Sequence, residues 1–417
     1  MTTAPTLHHR RTTCRGCGAT TLAPFLHLGE QALANALLRS PAEFATERRF
    51  PLEVVLCTQC GLVQLVDVIA PEVLFSNYLY VTGTSDTMKV HNAEYAETIC
   101  KLLGLGPNDL VVEAASNDGS LLAKFKAHGV RVLGVEPATN IAAQANSAGI
   151  TTANEFFSGA SAKSLRAQYG AAAAVIANNV LAHVDEPVKF LAAAKALLRP
   201  GGIVSVEAPY IEEFVEHNEY DTVYHEHLCY FSISALMVIA ERAGLRIFRV
   251  DRKPVHGGSI RMYAKSAEEA REHAPAVVEL ARAERGKGYT SLARMQVLAR
   301  AVEKQRTTLV ALLHKLKLEG KTVGAYGAPA KGNTLLQYCS IGTDLVPFTV
   351  DKSPLKIGLF TPGMHLPVYA ADELAKRRPD YCLILAWNFA DEIMRQQAAY
   401  RELGGRFIVP IPTPRIV

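Results

Sequence analysis

Nine consecutive residues, Tyr224-His225-Glu226-His227-Leu228-Cys229-Tyr230-Phe231-Ser232, concentrate side chains that can move protons. Five of the nine qualify: two tyrosines, two histidines and a glutamate. Near pH 7 a histidine can be a neutral base, a glutamate a base or an orienting charge, and a tyrosine a hydrogen-bond donor. The plain alternative is an aromatic-rich strand or loop whose polar groups are satisfied internally. A catalytic zinc site of the His-Glu-x-x-His kind is excluded by spacing, because position 229 is Cys229 and no third ligand is evident.

A second constellation is made of thiols. Of the eight cysteines, Cys14 and Cys17 form one tight pair, Cys57 and Cys60 another, and Cys100, Cys229, Cys339 and Cys382 stand singly. Two thiolates separated by two residues can sit on one turn and grip half a tetrahedral zinc ion, and a second such turn completes the site. Gly16, Gly18 and Gly61 offer the backbone freedom such turns use. Because protein fills all four positions, the zinc is expected to be structural, with no place for a reacting group.

A third set lies at strand ends. The apolar run Leu110-Val111-Val112 leads into Glu113, and six residues later Gly119 opens a helix. Backbone N–H groups at such a turn face a ligand. The next strand, Val132 to Val135, ends in Glu136, a carboxylate placed to accept ribose hydroxyls at the switch region of an open sheet. Spacing leaves NAD and S-adenosylmethionine both open. Near the C-terminus, Gly324-x-x-Gly327 followed by Lys331-Gly332-Asn333 does not fit G-x-G-x-x-G. It could still hold a diphosphate at a helix N-terminus, with Asp351 at the next strand end meeting a hydroxyl.

These residues need elements to position them. Strand-like and helix-like segments alternate from about residue 80 to 265, the rhythm of a doubly wound parallel sheet. A long helical stretch is expected from Ser266 to Leu318, then a second, smaller alternation beginning at Lys321. The fold class is therefore α/β. Three domains are expected: a zinc-binding module over residues 1–75, a Rossmann-like cofactor domain over 76–265, and a helical linker with a second Rossmann-like domain over 266–417. A length of 417 residues, 49% hydrophobic and 20% charged, agrees with such a globular chain. The net charge of +4 gives no reason to expect a nucleic-acid or membrane-surface partner. With no apolar run approaching roughly 18–20 residues and no secretory signal, the expected location is the cytoplasm. A self-contained chain of this kind is consistent with a monomer.

Here a resemblance adds to the reading. Glu113-Ala114-Ala115-Ser116-Asn117-Asp118-Gly119-Ser120-Leu121-Leu122 resembles the first motif of class I methyltransferases, with Ala115 where the family has its first glycine. Gly134-Val135-Glu136-Pro137, Asn178-Asn179-Val180-Leu181-Ala182-His183-Val184 and Arg199-Pro200-Gly201-Gly202 resemble later motifs of that class. Over its whole length and in order, the chain resembles sugar C-3′-methyltransferases acting on nucleotide-linked 4-keto deoxysugars. The series comprises the four-cysteine module, Tyr78-Leu79-Tyr80-Val81-Thr82-Gly83-Thr84-Ser85, the methyltransferase motifs, the Tyr-His-Glu-His-Leu segment, Val255-His256-Gly257-Gly258-Ser259-Ile260-Arg261 and Gly324 to Asn333.

The resemblance implies S-adenosylmethionine held by Glu113, Ala115, Asn117, Gly119, Glu136, Pro137, Asn178 and Asn179. It implies a structural zinc on Cys14, Cys17, Cys57 and Cys60. The substrate is then a dTDP-linked keto sugar touching Tyr80, His256, Gly257, Arg261, Tyr326, Ala328, Lys331, Asn333 and Asp351. By the family pattern His227 is the base at C-3′ and Glu226 orients it or shares the proton. Tyr78, Tyr224 and His183 polarise the 4-keto oxygen or place the sugar. The competing readings are an O- or N-methyltransferase acting on another nucleotide-sugar or polyol, a zinc-ribbon RNA-modifying protein, and a nicotinamide oxidoreductase using both α/β domains.

Overall fold

The computed structural model describes residues 7–75, 86–255 and 257–417. Tyr78, Tyr80, His256 and the segment 78–85 lie outside the described residues.

The cofactor domain is built on a seven-stranded sheet. In spatial order its strands are Leu245–Lys253, Ser259–Ser266, Leu198–Pro209, Ala172–Asn178, Leu110–Ala114, Arg131–Val135 and Thr152–Ala153. Ser259–Ser266 runs antiparallel to both its neighbours, and the remaining pairs are parallel. Leu110–Ala114 and Ala172–Asn178 are buried over almost their whole length, which is why they read as unbroken apolar runs. Helices cover both faces. The open edge of the parallel strands therefore falls at Glu113, Glu136 and Asn178, the carboxyl ends where an α/β sheet receives its ligand.

The N-terminal module carries a four-stranded antiparallel sheet, and one of its strands comes from elsewhere. Leu22–Ala32, Arg49–Cys57 and Val63–Leu65 are joined by Cys229–Tyr230, which pairs with Val63–Leu65. The end of the proton-handling segment is thus a strand of the N-terminal sheet. Two residues in a loop-like run gave no sign of this pairing.

The expected helix from Ser266 to Leu318 is divided. Helix Pro275–Gly286 stops, the chain turns through Gly288 at φ 78°, and Ser291 caps Leu292–Leu318 by accepting from the Arg294 N–H. Met295, Leu298, Val302, Leu309, Leu313 and Leu316 recur at three- and four-residue spacing on the buried face of the second helix. Gln305 interrupts that stripe without cost, since it accepts from the Tyr220 hydroxyl at 2.8 Å and donates to the Pro410 carbonyl at 2.8 Å.

The C-terminal sheet runs Val368–Ala370, Thr349–Asp351, Val323–Tyr326, Tyr381–Ile384, Arg406–Val409, Arg415–Ile416. In chain order this is 3-2-1-4-5-6, the order of dinucleotide-binding folds, with only the last strand antiparallel. It also corrects the register in which the glycines were read. The turn begins at Gly327, with φ 95°, and ends at Gly332, where a Cβ would lie 2.6 Å from the Leu385 side chain. Pro329 stands where the second glycine of G-x-G-x-x-G would be. Gly324 belongs to the strand and packs on Phe348. One apolar core runs from the cysteine module through the central sheet to Ile408 and Ile411. Among the described residues no helix is long and apolar enough to cross a membrane.

Candidate active site

The four thiols of the two pairs converge, all sulfur atoms lying within 4.8 Å of one another. Cys14 and Cys60 Sγ are 3.5 Å apart, as are Cys17 and Cys57 Sγ, so each turn faces the other. Those distances are too long for disulfides and close to the roughly 3.8 Å edge of a zinc tetrahedron with ~2.3 Å Zn–S bonds. Gly18 and Gly61 have positive φ, as the turns require, whereas Gly16 does not. Gly16 contributes its N–H instead, donating to Cys14 Sγ at 3.3 Å.

At the cofactor edge, Ala115 has φ 50°, Asn117 φ 50°, Gly119 φ 73° and Asn179 φ 53°. The left-handed conformation at Ala115 explains why a glycine suits that position. Replacing Ala115 with glycine should relieve that strain, offset in part by a looser unfolded chain, for a net gain of up to about 1 kcal/mol. A urea midpoint that falls in Ala115→Gly would contradict the assignment.

Glu136 is oriented by its own backbone surroundings, accepting from Asn117 N at 2.9 Å and Ala138 N at 2.8 Å. Pro137 lies between these contacts, its carbonyl accepting from Asn154 Nδ2 at 3.0 Å. Glu113 is buried, and burial, helped by Asp118 and Glu136, pushes its carboxyl well above the usual range. Glu113 Oε2, Ser116 Oγ, Asn178 Oδ1 and Asn179 Oδ1 are buried without a hydrogen-bond partner among the described residues. Such orphaned acceptors are expensive unless a ligand supplies the donors.

From Asn178 the chain passes directly to the short 3-10 turn Leu181–His183, which touches the proton-handling segment. Leu228 N donates to Ala182 O at 2.7 Å, and the His183 and His227 rings meet edge to face at 4.8 Å. Loss of solvation lowers His183 to about 4, so it is neutral at pH 7. His227 Nδ1 lies 2.8 Å from the Thr222 carbonyl, an acceptor only, which fixes the proton on Nδ1. Nε2 is then the lone-pair nitrogen, and the Tyr224 hydroxyl donates to it at 2.8 Å. Glu226 is buried, and Asn35 Nδ2 donates to both its oxygens at 2.8 and 2.9 Å. Four of the five expected catalytic residues are therefore brought together: His183, Tyr224, Glu226 and His227. Asn35 and Thr222 had escaped notice, since one sits in an alanine-rich run and the other acts through its carbonyl.

The comparisons with known proteins show the family. Residues 14–75 match a zinc binding domain, 90–250 a methyltransferase domain and 254–412 a C-methyltransferase C-terminal domain. The chain is 38% identical over 404 residues to C-methyltransferase NovU of Streptomyces niveus, covering 97% of this chain and 96% of that one. The chain belongs to the C-methyltransferases. Two solved structures each resemble less than half of this methyltransferase. A S-adenosylmethionine-dependent methyltransferase from Clostridium acetobutylicum covers 44% of it and is itself covered over 93%, at 11% identity and TM-score 0.34. The CcbJ methyltransferase of Streptomyces caelestis covers 42% and is covered over 89%, at 15% identity and TM-score 0.34.

S-Adenosylmethionine is accordingly the cofactor of this C-methyltransferase, and the residues present fit it. Its positive charges would favour the ionised form of Glu113 that burial by itself disfavours, and its ribose hydroxyls would meet Glu136. Its remaining donors would find Ser116, Asn178 and Asn179. The four converging cysteines fit zinc in the same way.

Several residues expected to touch substrate are placed otherwise. Arg261 is fully buried, its guanidinium 2.7 Å from Glu207 Oε2, 3.0 Å from His91 Nε2 and stacked 3.4 Å from the Tyr95 ring centroid. Asn333 is fully buried and donates to the Ala34 carbonyl at 2.8 Å. Tyr326 packs into the C-terminal core. All three are held by contacts inside the protein, although Arg261 Nη1 and Asn333 Oδ1 keep no hydrogen-bond partner among the described residues.

Lys331 Nζ lies 3.4 Å from Glu219 and 5.3 Å from the Trp387 ring centroid, so a diphosphate there would have to displace a carboxylate. Asp351 accepts from Ala328 N and Ser353 N, both at 2.8 Å, which fixes the first turn of the second Rossmann unit. Gly257 lines a cleft of about 460 Å3 between the two α/β domains, with Met88, Arg252 and Val255 on one side and Asn388 and Phe389 on the other.

Proposed function

We propose that this C-methyltransferase methylates C-3′ of a nucleotide-linked, dTDP-bearing 4-keto deoxysugar through an enolate. The observation that carries this reading is the 2.8 Å contact of His227 Nδ1 with the Thr222 carbonyl. The Thr222 carbonyl keeps the proton on Nδ1, so Nε2 is ready to accept another. A carbon beside a ketone releases a proton only to a placed base, with donors waiting for the charge that moves onto oxygen. As the substrate arrives, its C-3′–H takes the place of the Tyr224 hydroxyl at Nε2. The proton passes to Nε2, and the electron pair of the broken C–H bond is shared with the 4-keto oxygen. The released Tyr224 hydroxyl donates to that oxygen, beside the neutral His183 ring. S-Adenosylmethionine, held at Glu113 and Glu136, would supply the electrophilic methyl group, the new C–C bond replacing the methyl–sulfur bond and the sulfur keeping that bond's electron pair. Alignment of the two carbons does much of this work.

Glu226, adjacent to His227, balances the imidazolium that proton transfer creates. The cleft beside Gly257, lined also by Arg252 and Lys253, is the region given to the nucleotide. Its size falls in the range of small-molecule sites.

The test is incubation of the purified protein with dTDP-4-keto-6-deoxy or 2,6-dideoxy sugars in D2O, read by mass spectrometry. The expected result is one added methyl on carbon with the donor present, and deuterium at C-3′ when it is omitted. A protein that binds S-adenosylmethionine but neither exchanges nor methylates any such sugar has another acceptor.

A further inference from the structure

We propose that Asn35 is a positioning residue for Glu226, and that residues 32–38, which carry it, couple the C-terminal domain to the reacting cluster. The inference rests on the role given to Glu226 above.

The Asn35 amide must turn its nitrogen to the carboxylate, because its oxygen there would repel an ionised Glu226. A single Nδ2 donates to both oxygens, within 2.9 Å of each, and so holds the carboxylate end-on. A buried carboxylate depends on such donors far more than an exposed one does.

What makes Asn35 more than a packing contact is how its own segment is held. The C-terminal helix Ala330–Cys339 grips the segment from below. Ala32 N donates to Gln337 Oε1 at 2.7 Å, Gln337 Nε2 donates back to Ala32 O at 3.3 Å, and Asn333 Nδ2 donates to Ala34 O at 2.8 Å. At the far end Leu38 and Phe360 exchange backbone hydrogen bonds at 3.0 and 2.8 Å. Asn333, Ala32 and Ala34 are all buried, so these bonds are shielded from water. The residue that meets Glu226 is therefore set by the C-terminal domain, although it lies in the N-terminal one. A shift of that helix would move Asn35, and with it the donor held by the Glu226 carboxylate.

Crystal structures and kinetics of Asn35→Ala and Asn35→Asp test this. The second variant keeps the volume of the side chain and replaces its donor with a repelling carboxylate. The expected result is a Glu226 carboxylate turned or shifted in both variants. On a dTDP-4-keto-6-deoxy sugar kcat should fall by about 10²-fold, with the KM for S-adenosylmethionine unchanged, as for misplacement of a reacting group. In a Glu226→Gln background Asn35→Ala should cost little more, because both changes remove one interaction. An unmoved carboxylate in Asn35→Ala overturns the proposal by itself, with or without an active sugar, as does wild-type turnover in both variants. Wild-type turnover in Glu226→Gln would remove the role of Glu226, and the proposal with it.

Discussion

His227→Asn should retain S-adenosylmethionine binding and lose turnover by about 10²- to 10⁴-fold, the usual worth of a placed general base. Asparagine preserves a polar side chain of similar reach and can still donate to the Thr222 carbonyl, but its amide nitrogen has no basic lone pair. The loss should therefore appear in kcat, and deuterium exchange at C-3′ should fall in step with methyl transfer. Calorimetric titration with S-adenosylmethionine gives the control, since the cofactor residues lie on the strand ends and His227 does not. Full turnover in His227→Asn would remove the base assignment. Exchange lost while methylation survives would show that the two steps use different groups.

The second large effect concerns the buried charges beneath the cofactor edge. Glu207 accepts from Arg261 Nε at 2.8 Å and pairs with His91 Nε2 at 2.8 Å, and both charged partners of the Glu207–Arg261 pair are fully buried. The backbone of Glu207 also matters to the site, because its carbonyl accepts from Asn179 N at 2.8 Å. Glu207→Ala leaves the Arg261 guanidinium in the interior without its partner, so it should cost about 3–5 kcal/mol in a urea unfolding experiment. Replacing both residues, as Glu207→Leu with Arg261→Met, should cost much less, since two desolvation penalties vanish together. A double variant as unstable as the single one would mean that packing, not charge, makes the site sensitive.

A pH dependence follows from the same pair. Burial alone would raise the Glu207 carboxyl, but His91 and Arg261 outweigh it and hold the group below its ordinary value of 4.5. With the folded value depressed, its contribution to stability is complete above the ordinary value and is lost as pH falls through the folded one.

Much of this was legible in the residues. Cys14, Cys17, Cys57 and Cys60 announced one zinc site because metal geometry restricts thiol spacing to a few patterns. The strands ending in Glu113, Glu136 and Asn178 were readable because strands buried on both faces must be apolar throughout, so a polar residue marks their end. The expected substrate contacts were less secure. Arg261 and Asn333, substrate contacts by the resemblance, are both buried and bonded to other parts of the protein. A polar side chain carries the same letter whether it faces a ligand or satisfies an interior carbonyl.

The sequence by itself determined the chemistry available: a zinc module, two Rossmann-like units and a cluster of acid–base residues within one short segment. Those depend on residue type and local period, which the chain carries along its own length. Only the tertiary structure decided which proton His227 keeps, because the Thr222 carbonyl that holds it belongs to a turn with no signature. It alone decided that Cys229–Tyr230 completes the N-terminal sheet, and that Asn35 reaches Glu226 across 191 positions of chain. A hydrogen bond between distant segments is set by the packing of whole elements, and no local pattern encodes it.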